Sequence, residues 1–109
     1  MIEKEIKIPI FPGKLIVINT EDFALVNLKY KTKIPEGKYD AVTFLDEDDN
    51  YVVAFDSANV SNGIIVHESV HVVNHILDSL DTSPSTKEDE LQAYLTQWVF
   101  EQITNIFRQ

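Results

Sequence analysis

The sequence of 109 residues predicts an α+β fold, formed by a single domain that spans residues 1–109. In the first half of the chain, short runs rich in Ile, Val, Tyr and Phe alternate with turn residues, which is typical of strands. In the second half, apolar residues recur at three- and four-residue spacing over two long segments, which is typical of amphipathic helices. Because the strands come before the two long helices, we expect a small, mostly antiparallel sheet followed by those helices.

The composition restricts the class of protein. A hydrophobic content of 44% favours a packed globular fold over a disordered chain. The 9 basic residues against 18 acidic residues give a net charge of −9, which argues against a nucleic-acid partner. No apolar run approaches the roughly 18 residues of a membrane span, no signal peptide is visible, and the absence of cysteine excludes thiolate metal ligands. We therefore expect a cytoplasmic protein with no membrane partner.

The first half of the chain is expected to contain four strands and one short helix. The strands are predicted over Glu5–Phe11, Lys14–Asn19, Tyr39–Leu45 and Tyr51–Phe55. Pro9 cannot donate a ladder hydrogen bond, which indicates an edge position for the first strand. Thr20 is the predicted cap of a helix over Glu21–Tyr30, whose inward stripe comprises Phe23, Val26 and Tyr30.

An acidic turn separates the last two predicted strands. Asp46, Asp48 and Asn50 match the first three ligand positions of a calcium-binding loop. The position that requires glycine is Tyr51, and the position that requires a bidentate glutamate is Ser57. We therefore expect a solvated hairpin turn and not a calcium site.

A helix predicted over Gly63–Leu80 contains the sequence His67-Glu68-Ser69-Val70-His71, which matches the H-E-x-x-H motif. Because a helix advances about 100° per residue, His67 and His71 project from the same face, one turn apart. That placement suits two imidazole ligands of one tetrahedral Zn²⁺ ion, and Glu68 can then reach the metal-bound water as a general base.

The alternative is that the histidines form the polar face of an amphipathic helix. The opposite arc is apolar and comprises Ile65, Val66, Val72, Val73, Ile76, Leu77 and Leu80. The chain has only 3 histidines, however, and all of them fall between His67 and His75, which favours metal binding. His75 is not the natural third ligand, because it lies about 12 Å from His67 along the helix axis.

The third ligand is expected from the last helix, predicted over Thr86–Phe107 and capped by an S-x-x-E box at Ser85–Glu88. Its start contains the carboxylates of Glu88, Asp89 and Glu90. We favour Glu90, because small Ala93 one turn later leaves room for a close approach of the two helices. The alternative is that these acids only stabilise the N-terminus of the helix.

The sheet, the H-E-x-x-H helix and the glutamate helix, in that order, resemble a minimal gluzincin of the kind called minigluzincins, and small zincin-like proteins encoded by phages. The resemblance covers about Tyr39–Phe107. It implies a zincin-like fold in which His67, His71 and Glu90 bind zinc and Glu68 is the catalytic base. A phage-encoded member would act in the host cytoplasm or in the virion. Thermolysin-like members carry an aspartate at the position of Tyr94, so the residues that orient the ligands must differ here.

The expected function is zinc-dependent hydrolysis of a peptide bond in a peptide or protein substrate. Tyr94 and His75 are the candidate donors to the oxyanion, and Tyr51–Phe55 is the candidate edge strand for an extended substrate. The alternative function is a catalytically weak or inactive zincin-like protein, such as a virion component or an acidic inhibitor. A zinc site closed by a fourth protein ligand would indicate this alternative.

Overall fold

The computed structural model describes residues 1–82 and 89–108. The chain divides into two compact units, one from Met1 to Ser61 and one from Asn62 to the C-terminal end. The first unit contains a four-stranded sheet and one helix, and the second contains two helices. The predicted α+β class is therefore confirmed, whereas the assignment of the whole chain to one domain stays a prediction.

The sheet has the strand order β1-β2-β4-β3. Its strands are β1 (Ile2–Lys7), β2 (Lys14–Thr20), β3 (Ala41–Leu45) and β4 (Tyr51–Asp56). The β1–β2 and β3–β4 pairs are antiparallel, and the central β2–β4 pair is parallel. The sheet is therefore mixed. Its two outer strand pairs are antiparallel, as expected, and its central pair is parallel.

The central position of β4 corrects one prediction. Tyr51–Phe55 was the expected edge strand for an extended peptide, but β4 is hydrogen-bonded to β2 on one side and to β3 on the other. Every residue from Tyr51 to Phe55 is buried, in keeping with the continuous apolar runs of central parallel strands. The edge strands of this sheet are β1 and β3.

The first strand lies at an edge, as predicted, but it ends four residues earlier than predicted, at Lys7. Ile8 is fully buried beyond the end of the strand. Ile10 has a φ of 59° and is 93% exposed. A left-handed residue cannot continue a strand, so the apolar alternation of Ile6, Ile8 and Ile10 overestimated its length.

The predicted hairpin between β3 and β4 is confirmed. Asp46 Oδ1 accepts hydrogen bonds from the backbone N–H groups of Asp48 and Asn50, both at 2.9 Å. Asp49 takes up the left-handed conformation with a φ of 61°. Asp46 Oδ2 accepts a further hydrogen bond of 3.1 Å from the Asn50 side-chain amide, so both oxygens of this carboxylate are engaged in closing the turn.

The first helix, α1 (Phe23–Tyr30), is capped by Asp22 and not by Thr20. The Asp22 carboxylate accepts a hydrogen bond of 2.9 Å from the Ala24 N–H group. The Thr20 hydroxyl instead donates to the carbonyl of Asp22. Phe23 and Val26 are buried in a cluster with sheet residues, and Tyr30 is packed against that cluster, which confirms the predicted inward stripe.

A partly buried carboxylate in β1, that of Glu3, predicts how acid will affect stability. The Glu3 carboxylate accepts hydrogen bonds from the Lys29 ammonium group and the Tyr30 hydroxyl. Burial raises the pKa of Glu3, but these hydrogen bonds outweigh burial, so this pKa lies below its ordinary value of 4.5. The resulting stability is present above the unfolded-state pKa and is lost as the pH falls through the folded-state pKa.

Glu3→Gln is therefore expected to lower the free energy of unfolding at pH 7 by about 1 kcal/mol, as for a partly exposed ion pair. The difference from wild type should shrink as urea unfolding is repeated at lower pH, and vanish once the pH is below the folded-state pKa of Glu3, where both states are protonated. Glu5→Gln is the matched control in the same strand, because the ion pair of Glu5 with Lys14 is open to solvent. Equal effects of the two substitutions at pH 7 would contradict the assignment to the Glu3 cluster.

The second unit consists of α2 (Asn62–Ser79) and α3 (Glu90–Phe107), which pack against each other. The bounds of α2 agree with the predicted helix to within one residue at each end. The predicted capping box at Ser85–Glu88 and the predicted helix start at Thr86 lie outside the described residues. Among those that are described, α3 begins at Glu90 and its cap Asp89 makes no side-chain capping hydrogen bond.

None of the helices in the described parts of the chain has the length and apolar character that a bilayer-spanning segment requires.

Candidate metal centre

Helix α2 brings together three of the residues predicted from the motif. The Nε2 atoms of His67 and His71 are 3.1 Å apart. Their rings meet edge to face, with centroids 4.8 Å apart and an angle of 74° between the planes. The candidate ligand atoms of His67, Glu68 and His71 all lie within 4.8 Å of one another. The local geometry of one helix is sufficient for this cluster.

The spacing of the two nitrogens fits one zinc ion. Zinc–nitrogen bonds of about 2.0–2.1 Å at a tetrahedral angle place two ligand nitrogens about 3.3 Å apart. The observed 3.1 Å is close to that value. The same distance also suits a hydrogen bond between the rings, in which one nitrogen donates and the other accepts. A metal titration distinguishes these two explanations.

The ligand nitrogens belong to an accessible face of the helix. The side chain of His67 is 69% exposed, and His71 is also exposed. An ion can therefore reach the pair from solvent without a rearrangement of α2.

Glu68 differs from the histidines, because it is only 5% exposed. Among the residues that the structure describes, it is the one buried acidic or basic side chain. Glutamate is almost never fully buried unless it is paired or has a functional role. A buried carboxylate beside two imidazoles is therefore the most informative feature of the cluster.

The position of Glu68 in the helix explains its burial. Ile65 precedes it by three residues and Val72 follows it by four, so all three share one side of α2, and all three are buried. Ser69 is also buried on this side, and its hydroxyl donates to the Ile65 carbonyl at 2.7 Å. Glu68 thus occupies a place in the apolar stripe where the pattern alone favours an aliphatic residue.

The distance from Glu68 to His67 is compatible with either a ligand or a base. Glu68 Oε2 lies 3.8 Å from His67 Nε2. Two ligands of one tetrahedral ion would lie about 3.3 Å apart. Glu68 belongs to the same group of candidate ligand atoms as the histidines, and only the H-E-x-x-H pattern assigns it the part of a base that acts on a water molecule.

The predicted third ligand, Glu90, is the first residue of α3 and is exposed. The predicted helix start at Thr86, which would place Glu90 about one turn inside the helix, lies outside the described residues. The Glu90 carboxylate lies outside the group of ligand atoms within 4.8 Å. Ala93, which was expected to allow a close helix approach, is exposed. The role of Glu90 stays a prediction, as does that of exposed Asp89, and Glu88 lies outside the described residues.

His75, one of the two candidate oxyanion donors, is not part of the cluster of ligand atoms. His75 is half-buried in α2, two turns after His67. Tyr94 belongs to the second turn of α3 and is 66% exposed. Both roles stay predictions.

The exposure of two valines beside the cluster was not predicted from the sequence. Val66 was assigned to the apolar arc, yet it is 46% exposed, and Val70 is 40% exposed. The sequence signal that could have indicated their exposure is their position, because each valine immediately precedes one of the two exposed histidines.

No known protein family, curated protein or solved structure matches this chain. The chemistry of the candidate metal centre is therefore argued from its own residues.

Proposed function

We propose that this protein is a gluzincin-like zinc metallopeptidase, in which His67, His71 and Glu90 hold the ion and Glu68 is the general base. The observation that carries the proposal is the buried Glu68 carboxylate beside two exposed imidazole nitrogens that are 3.1 Å apart. The proposed substrate is a peptide or protein, and the zincin-like arrangement is part of the proposal.

Each residue of the cluster has a distinct part in this chemistry. His67 and His71 present Nε2 to the ion, so each ring carries its proton on Nδ1. When bound, zinc polarises the scissile carbonyl and lowers the pKa of a water molecule at the site. Glu68 takes the proton from the attacking water and delivers it to the departing amine. Burial keeps the Glu68 carboxylate in one position, so it need not be ordered during the reaction.

Zinc content tests the first step of the proposal. We expect one zinc ion per chain after reconstitution, and a lower melting temperature after chelation. A ligand that binds only the folded state at 100 times its dissociation constant adds about 2.7 kcal/mol of stability, which corresponds to a shift of the melting temperature by about 10 °C. Elemental analysis and thermal melts with and without a chelator measure both quantities.

The matched control for this experiment is the double variant His67→Ala/His71→Ala, whose melting temperature should not respond to the chelator. Absence of stoichiometric zinc in the reconstituted wild type would contradict the proposal.

A second candidate function is a non-catalytic binding protein with a structural or vestigial zinc site. The position of Glu90 outside the cluster of ligand atoms favours this alternative, because two nitrogens alone hold zinc weakly. A site closed by a fourth protein ligand, without turnover of any peptide, would support it.

A further inference from the structure

The loop between β1 and β2 presents a strained apolar residue to solvent. Ile10 has a φ of 59° and is 93% exposed. A β-branched residue rarely takes up this left-handed conformation, and such strain persists only where the surrounding structure imposes it. Pro9 and Pro12 stiffen the loop on either side, because each fixes its own φ at about −65°. The loop therefore holds an isoleucine outward against its conformational preference, which is typical of binding sites.

The base of this loop is basic, although the whole chain has a net charge of −9. Lys7 and Lys14 stand opposite each other in the β1–β2 ladder, a position in which like charges destabilise a sheet. The ion pair of Lys14 with Glu5 is open to solvent and offsets little of that repulsion. No other charged residue lies between Lys7 and Lys14. We call the segment Lys7–Lys14 the basic tip.

A cavity of about 310 Å³ lies at the other end of β2. Its lining combines carboxylates with aromatic rings, and these residues are Glu21, Asp22, Phe23, Glu36, Tyr39 and Asp56. The ammonium group of Lys38 also lies near, with Nζ 5.5 Å from the centre of the Tyr39 ring, so acidic groups remain in excess. We call this the acidic cavity.

The basic tip and the acidic cavity are complementary in size and in charge. An apolar cavity of about 150 Å³ is large enough for benzene, so 310 Å³ admits an isoleucine side chain. Strand β2 begins at Lys14 beside the tip and ends at Thr20 beside the cavity. At about 3.3 Å per residue, the two surfaces are about 20 Å apart. One copy therefore cannot fill its own cavity.

We propose that the basic tip of one copy inserts Ile10 into the acidic cavity of a second copy, with Lys7 and Lys14 beside the carboxylates. The contact joins two different surfaces and is heterologous, so each dimer retains one open tip and one open cavity. Assembly then continues beyond the dimer, to a ring or to an open chain. This self-association goes beyond the proposed function and does not depend on zinc.

Sedimentation velocity of the full chain over a range of concentrations tests the proposal. At concentrations up to about 1 mM, which suffice for a weak specific contact, we expect the average mass to rise past that of a dimer. The mass should fall when salt is added, because salt screens charges at the surface. A wild-type chain that stays monomeric, or whose mass levels off at a dimer, overturns the proposal.

The variant Ile10→Asn removes the apolar anchor. The dissociation constant should rise at least about tenfold, because insertion buries most of an isoleucine side chain. The melting temperature should not fall, since asparagine tolerates the left-handed conformation better than isoleucine does. Leu28→Gln is the matched control, because Leu28 is exposed in α1, and it should leave association unchanged. Equal effects of the two substitutions on association overturn the role of Ile10.

The variant Glu21→Lys/Glu36→Lys reverses two exposed charges of the acidic cavity. It should also raise the dissociation constant at least about tenfold, since the cavity then repels the lysines of the tip. Asp48→Lys/Asp78→Lys is the matched control, because it changes the net charge equally at exposed positions outside the cavity lining. A control that weakens association as much as the cavity variant does overturns the role of the cavity.

An equimolar mixture of Ile10→Asn and Glu21→Lys/Glu36→Lys tests the heterologous contact directly. The first variant retains the cavity and the second retains the tip, so the mixture should form a 1:1 dimer and nothing larger. A mixture that stays monomeric under conditions where the wild type associates overturns the proposal. Binding of a monomeric wild type to phosphatidylserine vesicles, lost in Ile10→Asn, also overturns it and assigns the tip to a lipid surface.

Discussion

Replacement of Glu68 by glutamine is expected to lower the rate of peptide cleavage by about 10²–10⁴-fold, the usual contribution of a general base. Glutamine has nearly the same shape as glutamate but cannot accept the proton of the attacking water. Because the H-E-x-x-H pattern assigns Glu68 to the base and not to the ligands, its loss should leave the zinc stoichiometry unchanged. Single-turnover cleavage of a broad peptide library, with elemental analysis of the same samples, measures both effects.

Asp78→Asn is the matched control for the loss of charge. Asp78 belongs to the same helix and is exposed, so its replacement should leave cleavage unchanged. If wild type and Glu68→Gln are equally inert across the library while both hold zinc, the binding-protein alternative replaces the peptidase. If Glu68→Gln loses zinc, Glu68 is a ligand and another group must act as the base.

Replacement of His71 by alanine is expected to weaken zinc binding by at least about 100-fold. Loss of a residue that only orients a ligand already costs about 10–100-fold in metal affinity, so the loss of a ligand itself should cost more. His75→Ala is the matched control in the same helix and should change the affinity by less than about threefold, because one ion cannot reach both His67 and His75 on a straight helix. Competition with a chelator of known affinity gives these constants.

The same titration tests the third ligand. Glu90→Ala should weaken zinc binding more than His75→Ala does, if the start of α3 contributes a carboxylate as the sequence pattern indicates. An effect of Glu90→Ala no larger than that of His75→Ala would remove Glu90 from the site. The ion would then be held by α2 together with a ligand still to be found.

Features that depend on neighbouring residues could be predicted from the sequence. The 3.1 Å approach of His67 and His71 follows from their four-residue spacing on one helix, because the rise and twist of a helix are local properties. The extent of α2 and the hairpin at Asp46 follow in the same way from apolar periodicity and turn chemistry.

Other features depend on contacts between residues that are distant in the sequence. Pairing of β2 with β4 is parallel and joins Leu15 to Tyr51, and no pattern within β4 itself shows that this strand lies between two others. The end of β1 at Lys7 depends on where Ile8 is buried, and not on the alternation of apolar residues alone.

The same distinction between local features and long-range contacts applies to the candidate site. The helical period placed Val66 in the apolar arc, but the packed chain leaves it exposed and buries Glu68. Periodicity orders the side chains around the axis of a helix, whereas the direction that is covered depends on what packs against it. The sequence by itself therefore determined which histidines come together. Only the tertiary structure decided that the carboxylate beside them is buried and that the valines are open to solvent, because burial is set by long-range packing.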